Sequence, residues 1–312
     1  MTQYVVKRIL AGVATVFFIA TATFSAMHFV PGDPLARGKA VSPEIRANLE
    51  AKYGLNLPVP VQYVRFITNM LKGDFGISFT QQNRSVNDII REHFPVSATL
   101  GILALLFATA GGILWGALAA LFRNKMPDQV IMFLVIFGVS VPSFVFAAIG
   151  QMGIIELNRI AGTTILPPGG WGTISHMLLP ALVLGLGTMA FLTRLMRSSM
   201  LEIVNLDYIR TARAKGVAPT RIFLIHQLRN AILPVVTVLG PAIATITTGG
   251  FVVELVFAIP GLGRYFVQAV QQMDYTVIMG LTVFYGSFLV GMIILVDIAY
   301  GFVDPRIKLA KS

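Results

Sequence analysis

Long apolar runs, separated by shorter polar segments, set the pattern of this sequence. Runs of about 20 apolar residues are long enough to cross a hydrocarbon core of about 30 Å as α-helices. The pattern predicts spans at Ile9–Val30, Val96–Phe122, Val130–Ile149, Met177–Met196, Ile232–Phe257 and Val277–Val303. The first run has the basic start of a signal peptide, but "PGDP" follows it instead of a small-residue cleavage site, so we interpret it as a retained helix. The predicted fold is an all-α polytopic membrane protein with six transmembrane helices.

The distribution of Lys and Arg predicts how these helices are oriented, because cytoplasmic loops carry an excess of cations. With the N-terminus inside, the two short outer loops hold only Arg159 and Arg264. The inner segments hold Lys7, Arg8, Arg123, Lys125, seven cations from Arg194 to Arg229, and Arg306, Lys308 and Lys311. We therefore expect both termini and the 197–231 loop to be cytoplasmic.

Residues 31–95, between the first two spans, carry amphipathic patterns and are predicted to form a small extracytoplasmic helical insertion. Three helices are expected: "SPEIRANLEAKYGL" capped by Ser42, "PVQYVRFITNMLKG" ending at Gly73, and "SVNDIIREHF" with Ser85 and Asp88 at capping-box spacing. The insertion is expected to contact an outside partner, with packing on the membrane helices as the alternative. The predicted domains are residues 1–30, 31–95, 96–303 including the 197–231 loop, and a tail at 304–312.

Composition agrees with a membrane protein and excludes several kinds of chemistry. Charged residues make up 12% of the chain, against about 25% in soluble domains. The absence of Cys excludes disulfides, thiolate metal sites and cysteine nucleophiles. A net charge of +10 would suit nucleic acid, but basic inner loops give the same number, and no nucleic-acid partner is expected.

The most basic inner segment, "DYIRTARAKGVAPTRIFLIHQLRNAILP", also has an ordered local pattern. It is predicted to be helical up to Lys215, with Gly216 at the position after the helix end and Pro219 opening the next helix. That next helix is expected to run through Asn230 into the fifth span. The segment serves either as a positively charged topogenic loop or as a docking element for a cytoplasmic partner, and the Gly-x-x-Pro break favours docking.

The same segment resembles the cytoplasmic loop of membrane subunits of binding-protein-dependent ABC importers, in the oligopeptide, dipeptide and nickel branch. Arg210-Thr211-Ala212 stands where the wider superfamily has Glu-Ala-Ala, Gly216 matches, and Ile232-Leu233-Pro234 lies farther downstream than usual. Three further stretches resemble the family: "VPGDP" at 30–34, "VVELVFAIPGLGRYFVQAVQQMDYTVIMG" at 252–280, and "DPRI" at 304–307. The resemblance covers nearly the whole chain.

The resemblance implies a subunit that depends on partners in a bacterial cytoplasmic (inner) membrane. The expected partners are a second homologous permease subunit, two cytoplasmic ATPase subunits and an extracytoplasmic substrate-binding protein. The loop would form a coupling helix in a groove of the ATPase, with Arg210, Thr211, Ala212, Arg213, Lys215 and Gly216 as the coupling residues. The chain has no Gly-x-x-x-x-Gly-Lys-Ser/Thr motif, so we expect no catalysis and no cofactor in it, and ATP and Mg only in the ATPase subunits.

Two other classes of membrane protein have weaker support in the sequence. An ion-coupled secondary transporter would use intramembrane titratable groups, and the candidates are Glu254 and Asp297. We expect both carboxylates to be structural, with Asp297 facing Arg194 or Arg197. An intramembrane protease would need a Ser–His pair or paired Asp residues, but the four His residues lie near span ends or in loops.

Small and polar residues in the fifth span are the candidate substrate path. The stretch "TITTGG" at 245–250 contains the candidate residues Thr245, Thr247, Thr248, Gly249 and Gly250. The alternative is that Thr and Gly only let helices pack closely. Peptide is the preferred cargo because no His, Asp and Glu cluster with metal-ligand spacing lies in the spans; nickel or a glutathione-type cargo is the alternative.

Overall fold

A computed structural model describes residues 2–29, 50–51, 54–81, 83–248 and 250–303. The described residues are helical, apart from connecting segments and one isolated bridge between Ile77 and Ser85. The helices are α1 Thr2–Phe29, α2 Val59–Leu71, α3 Val86–Leu121, α4 Met126–Ser140, α5 Ser143–Ala161, α6 Ile174–Ile203, α7 Asp207–Ala214, α8 Pro219–Arg221, a π-helical segment Ile222–Leu228, α9 Arg229–Thr248, α10 Phe251–Val256, α11 Leu262–Gln271 and α12 Tyr275–Val303.

Among the described residues, six helical stretches are long and apolar enough to cross a membrane, as the sequence predicted. They are Val5–Phe29, Val86–Leu121, Ser143–Ala161, Ile174–Ile203, Pro219–Ile243 and Tyr275–Ile298. Four of them contain most of a predicted span, and two predicted spans were placed wrongly.

The third predicted span, Val130–Ile149, was wrong because it crosses a helix break. Val141 is extended (φ −92°, ψ 128°), and α4 ends just before it. The cause is Pro142, since a residue before proline is disfavoured in the helical region. The apolar run is therefore divided between α4, which has 15 residues, and α5, which has 19 and extends to Ala161.

The fifth predicted span, Ile232–Phe257, was wrong at its C-terminal end, whereas the predicted continuation of the Pro219 helix into this span is confirmed. Helical structure runs without a break from Pro219 through the π-helical segment to Thr248. Gly250 follows, and α10 then begins as a separate short helix of six residues. Gly250 lies between the two helices, and glycine is, after proline, the residue least able to sustain a helix.

The chain divides into two compact units, residues 1–96 with 260–312, and residues 97–259. In the first unit α1 packs along α12 at close range. A Cβ on Gly12 would lie 2.6 Å from Ile294 Cδ1, and one on Gly286 would lie 2.8 Å from Ile19 Cδ1. Glycine at both positions therefore permits this close helix contact, as in other membrane helix pairs.

Two of the three predicted amphipathic helices lie within the described residues. Phe24 of α1 contacts Tyr63 and Phe66 of α2, with ring centroids 5.3 and 5.7 Å apart. The third helix begins as predicted, with Asp88 N–H donating to Ser85 Oγ at 3.0 Å. It does not end at Pro95, however, but continues into the second span as α3. The helix predicted for residues 42–54 falls mostly outside the described residues.

The first unit also contains a buried carboxylate that joins the 74–81 segment to the start of α12. Asp274 is 1% exposed. Ser78 Oγ donates to it at 2.5 Å, and the N–H groups of Phe79 and Thr80 donate at 3.1 and 3.0 Å. These bonds fix the 74–81 segment to the helix that follows Asp274.

In the second unit α6 is the central helix, and α4, α5 and α9 pack against it. Its core beside α9 is formed by buried apolar residues: Ala117, Leu192, Met196, Met200, Ala231 and Val235. The C-terminal end of this helix positions the segment that resembles a coupling loop.

Candidate functional site

The candidate coupling segment is a short helix, α7, that ends in a glycine turn. Gly216 has φ +71°, in the left-handed region that favours glycine. Its N–H donates to Arg213 O at 3.0 Å, and the Val217 N–H donates to Ala212 O at 3.2 Å. This pair of bonds is a Schellman motif, which satisfies carbonyls at a helix C-terminus. The predicted positions of Gly216 and of the Pro219 helix start are both confirmed.

The side chains of α7 divide into one anchor and an exposed surface. Ile209 is completely buried and holds the helix to the unit. Arg210, Thr211, Arg213, Lys215 and Gly216 are exposed, and Ala212 is half-buried, so the structure places the six predicted coupling residues together on one accessible element. The ion pair of Arg210 with Asp207 is long, at 3.6 Å, and lies in solvent.

Space around Gly216 is open. A Cβ at this position would meet no atom of the described residues within 4 Å, its two chain neighbours aside. The requirement for glycine within this subunit therefore comes from the backbone angle and not from packing. A close approach by a partner subunit would add a second requirement.

The coupling segment is tied to the following helix by side-chain hydrogen bonds. Asn230 Nδ2 donates to the Tyr208 hydroxyl at 3.2 Å and to the His226 carbonyl at 2.8 Å. His226 lies in the π-helical segment, a form that occurs frequently at functional sites. A displacement of α7 would therefore act directly on the start of α9.

A buried ion pair that sequence reasoning missed fixes the end of α6 near this segment. Arg197 donates from Nε and Nη2 to the two oxygens of Asp128, both at 2.7 Å. The Asn124 N–H donates to Asp128 Oδ2 at 2.8 Å. Asp128 is 3% exposed, so its charge is satisfied by these bonds instead of by water. No local pattern links these two residues, because 69 positions separate them.

The predicted partner of Asp297 was wrong. In the first unit Arg8 of α1 lies 3.1 Å from Asp297 Oδ2 on α12. Arg197 is instead occupied by Asp128, in the second unit. The close packing of α1 on α12 brings Arg8 to this carboxylate, and a pairing between the first and last helices has no signal in the local sequence.

Glu254 lies where the fifth predicted span was wrong. It is 2% exposed and belongs to α10, the short helix that follows Gly250. A Cβ on Gly250 would lie 3.3 Å from Glu254 Oε1 and 3.6 Å from Leu184 Cδ2. Glu254 is thus packed against the neighbouring backbone.

The candidate substrate path is only partly within the described residues. Gly249 and the side chains of Thr247 and Thr248 lie outside them. Thr245 is exposed, and its hydroxyl donates to carbonyls of its own helix, Pro241 O and Ala242 O, both at 3.1 Å. Gly250 is buried beside α10. Among the described residues, no group of three or more His, Cys, Asp or Glu could hold a metal ion.

Two family models match most of the chain. Residues 112–309 match the binding-protein-dependent transport system inner membrane component, and residues 1–101 match the N-terminal part of the membrane component of such systems.

Curated relatives match over their full length. The dipeptide transport system permease protein DppB of Bacillus subtilis is 44% identical over 100% of both chains. The oligopeptide transport system permease proteins OppB of Haemophilus influenzae and Escherichia coli K12 are 42% and 38% identical, over 99% of this chain and 100% of theirs. Among solved structures, an inward-facing MetNI methionine ABC transporter gives a TM-score of 0.48 at 18% identity, covering 66% of this chain and 94% of that one.

Proposed function

The chain belongs to the family of binding-protein-dependent transport system inner membrane components, and we propose that it forms half of the translocation path of an ATP-driven importer of peptides. The observation that carries the proposal is the full-length similarity, at 38–44% identity, to permease proteins named for dipeptide and oligopeptide transport. A nickel or glutathione-type cargo is the alternative within the same branch.

The proposed complex contains a second homologous permease subunit, two cytoplasmic ATPase subunits with ATP and Mg, and an extracytoplasmic substrate-binding protein. Both termini and the α7 segment are placed on the cytoplasmic side, following the bias of Lys and Arg. The insertion at 31–95 is placed outside, where it contacts the binding protein or closes over the entrance. In this complex the chain forms half of the translocation path and carries the coupling helix α7, and the ATPase subunits hydrolyse ATP.

In this proposal α7 is the element that receives the ATPase movement. The accessible side of α7, with Arg210, Thr211, Ala212 and Lys215 and the turn at Gly216, meets the ATPase, and Arg213 lies at its edge, towards the ends of α3 and α6. The buried Ile209 and the Tyr208–Asn230 bond carry the displacement to α9. The stretch of α9 from Thr245 to Thr248, with Gly249 and Gly250, faces the peptide. Glu254 and Asp297 hold the helices in place and do not carry protons.

The energy source separates this function from that of an ion-coupled transporter. The assembled complex, reconstituted in vesicles with its binding protein, is expected to accumulate labelled peptides only when ATP is supplied on the α7 side. Uptake should persist when an ionophore collapses the proton gradient, and should survive in Asp297→Asn, because the proposed role of this carboxylate is the ion pair with Arg8.

Uptake that disappears with the proton gradient while ATP is held high would contradict the proposal. Competition by unlabelled peptides, glutathione and Ni²⁺ identifies the cargo in the same assay. Inhibition by Ni²⁺ or glutathione and not by peptides would replace the peptide assignment and leave the ATP-driven mechanism intact.

A further inference from the structure

A groove opens beside the coupling segment, at the ends of α3 and α6, within the second unit. Its volume is about 550 Å³, within the range of small-molecule sites. The apolar part of its wall comprises Ala120, Leu121, Met200, Leu201, Val204, Val217, Pro219, Ile222 and Phe223. The polar part comprises Arg123, Arg213 and Gln227. We propose that this groove binds an anionic phospholipid, with an acyl chain on the apolar wall and the phosphate at the arginines.

The two cations stand at defined positions because the segments that carry them are fixed. Arg123 lies in the α3–α4 turn, where the Asn124 N–H donates to the buried Asp128 at 2.8 Å. Arg213 lies in the last turn of α7, where its carbonyl accepts the Gly216 N–H at 3.0 Å. Both arginine side chains are exposed, and neither forms an ion pair with another described residue. A phosphodiester is the anion that two such guanidinium groups can share.

Gln227 adds an amide to the polar part of the groove wall. The residue as a whole is 7% exposed. Gln227 and the buried Ile222 are five residues apart in the π-helical segment, whose i to i+5 bonding brings them to one side. The Gln227 amide can donate a hydrogen bond to a glycerol or phosphate oxygen in the groove.

The location of the groove favours a lipid over an acidic protein segment. The groove lies where two apolar helices end, Val86–Leu121 and Ile174–Ile203. We place these ends at or just beyond the polar headgroup region, where the headgroup of a lipid can reach the groove. Basic pockets between transmembrane helices on the cytoplasmic side are known to suit anionic headgroups. An acidic side chain from another protein would match the arginines but leave the long apolar wall uncovered. Because the argument uses only this subunit, it does not depend on the proposed cargo.

Lipid retention by the purified complex tests the site without any transport measurement. Complexes in nanodiscs of phosphatidylcholine with increasing phosphatidylglycerol are released and examined by native mass spectrometry for bound phosphatidylglycerol. Arg123→Gln is expected to weaken retention about fivefold, as one basic contact does at a membrane surface. Leu201→Trp, which fills the apolar wall, should reduce it as well. Lys125→Gln is the matched control, because Lys125 lies in the same turn outside the groove and should retain lipid normally.

Three results would overturn the site. Equal retention in Arg123→Gln and Lys125→Gln would mean that the lipid binds elsewhere. Displacement of the lipid by inorganic phosphate alone would indicate a free-anion site. Loss of the ATPase subunits from Arg123→Gln with unchanged lipid retention would assign the groove to a protein contact.

Discussion

Gly216→Leu is expected to abolish ATP-driven uptake while the subunit still inserts and accumulates in the membrane. The reason is the left-handed backbone at this position, φ +71°, which costs a residue with a Cβ roughly 1–2 kcal/mol. If the backbone at residue 216 adopted a different φ to avoid this cost, the two hydrogen bonds that end α7 would break. The backbone at Lys215 and Val217 would then change direction. The expected phenotype is a complex that loses its ATPase subunits or hydrolyses ATP without transport. Uptake is measured with the amount of assembled complex quantified in parallel.

Gly216→Asn is the control that separates backbone angle from close approach. Asparagine tolerates the left-handed region, and no atom of the described residues, the two chain neighbours aside, lies within 4 Å of a Cβ here. If the angle alone matters, Gly216→Asn should transport and Gly216→Leu should not. If both variants fail, the ATPase approaches this backbone closely. Wild-type uptake and normal ATPase retention in Gly216→Leu would end the assignment of α7 as the coupling element.

Charge variants of the same helix should be milder if its shape dominates. Arg210 forms a solvated ion pair with Asp207 at 3.6 Å, and such exposed pairs contribute little to stability. Arg210→Gln should therefore leave the stability of the subunit unchanged. A loss of uptake in this variant as severe as in Gly216→Leu would mean that ion pairs with the ATPase dominate.

Asp128→Ala is expected to produce the largest loss of stability among single charge removals in the second unit. Removal of one member of a buried ion pair costs about 3–5 kcal/mol, because the remaining charge stays buried and unpaired. The lower end, about 3 kcal/mol, applies here because the Arg197 side chain is 24% exposed and water can reach it. The free energy of unfolding in mixed micelles measures the effect.

The double variant Asp128→Ala with Arg197→Ala should lose less stability than the sum of the two single variants, because it leaves no unpaired charge. Glu156→Ala is the matched control: Glu156 pairs with Arg159 at the surface, with side chains 52% and 75% exposed, and should lose less than about 1 kcal/mol. Additive losses in the double variant would show that the two residues act independently and that the bidentate contact does not fix the end of α6.

The parts of this fold that the sequence predicted are those with a local cause. Gly216 and Pro219 mark a helix end and a helix start through their own backbone preferences, so α7 and the next helix begin and end where expected. The long apolar runs predicted six membrane-crossing helices, because the length of such a run is also a local property of the sequence. Pro142 and the pair Gly249-Gly250 also carried local signals, but the continuous apolar pattern around them outweighed these signals in the prediction.

The parts that the sequence could not predict depend on contacts between distant residues. Arg197 could pair with any carboxylate that the fold brings to it, and only the packing of α4 on α6 selects Asp128. In the same way, the packing of α1 on α12 selects Arg8 for Asp297. The π-helical segment brings the buried Ile222 and Gln227 to one side. It has more residues per turn than an α-helix, and the spacing of apolar residues in the sequence does not indicate this.

The central claim, that α7 delivers the movement of a cytoplasmic ATPase to the membrane helices, has a direct test in Lys215→Cys. The chain has no native Cys, so a thiol at this exposed position is unique. In the intact complex it is predicted to cross-link to an ATPase subunit and to be shielded from membrane-impermeant reagents added outside cells. Arg159→Cys, on the predicted outer side, is the control that such reagents should label. Labelling of Lys215→Cys from outside, or the absence of any cross-link in a complex that retains its ATPase subunits, would contradict the account.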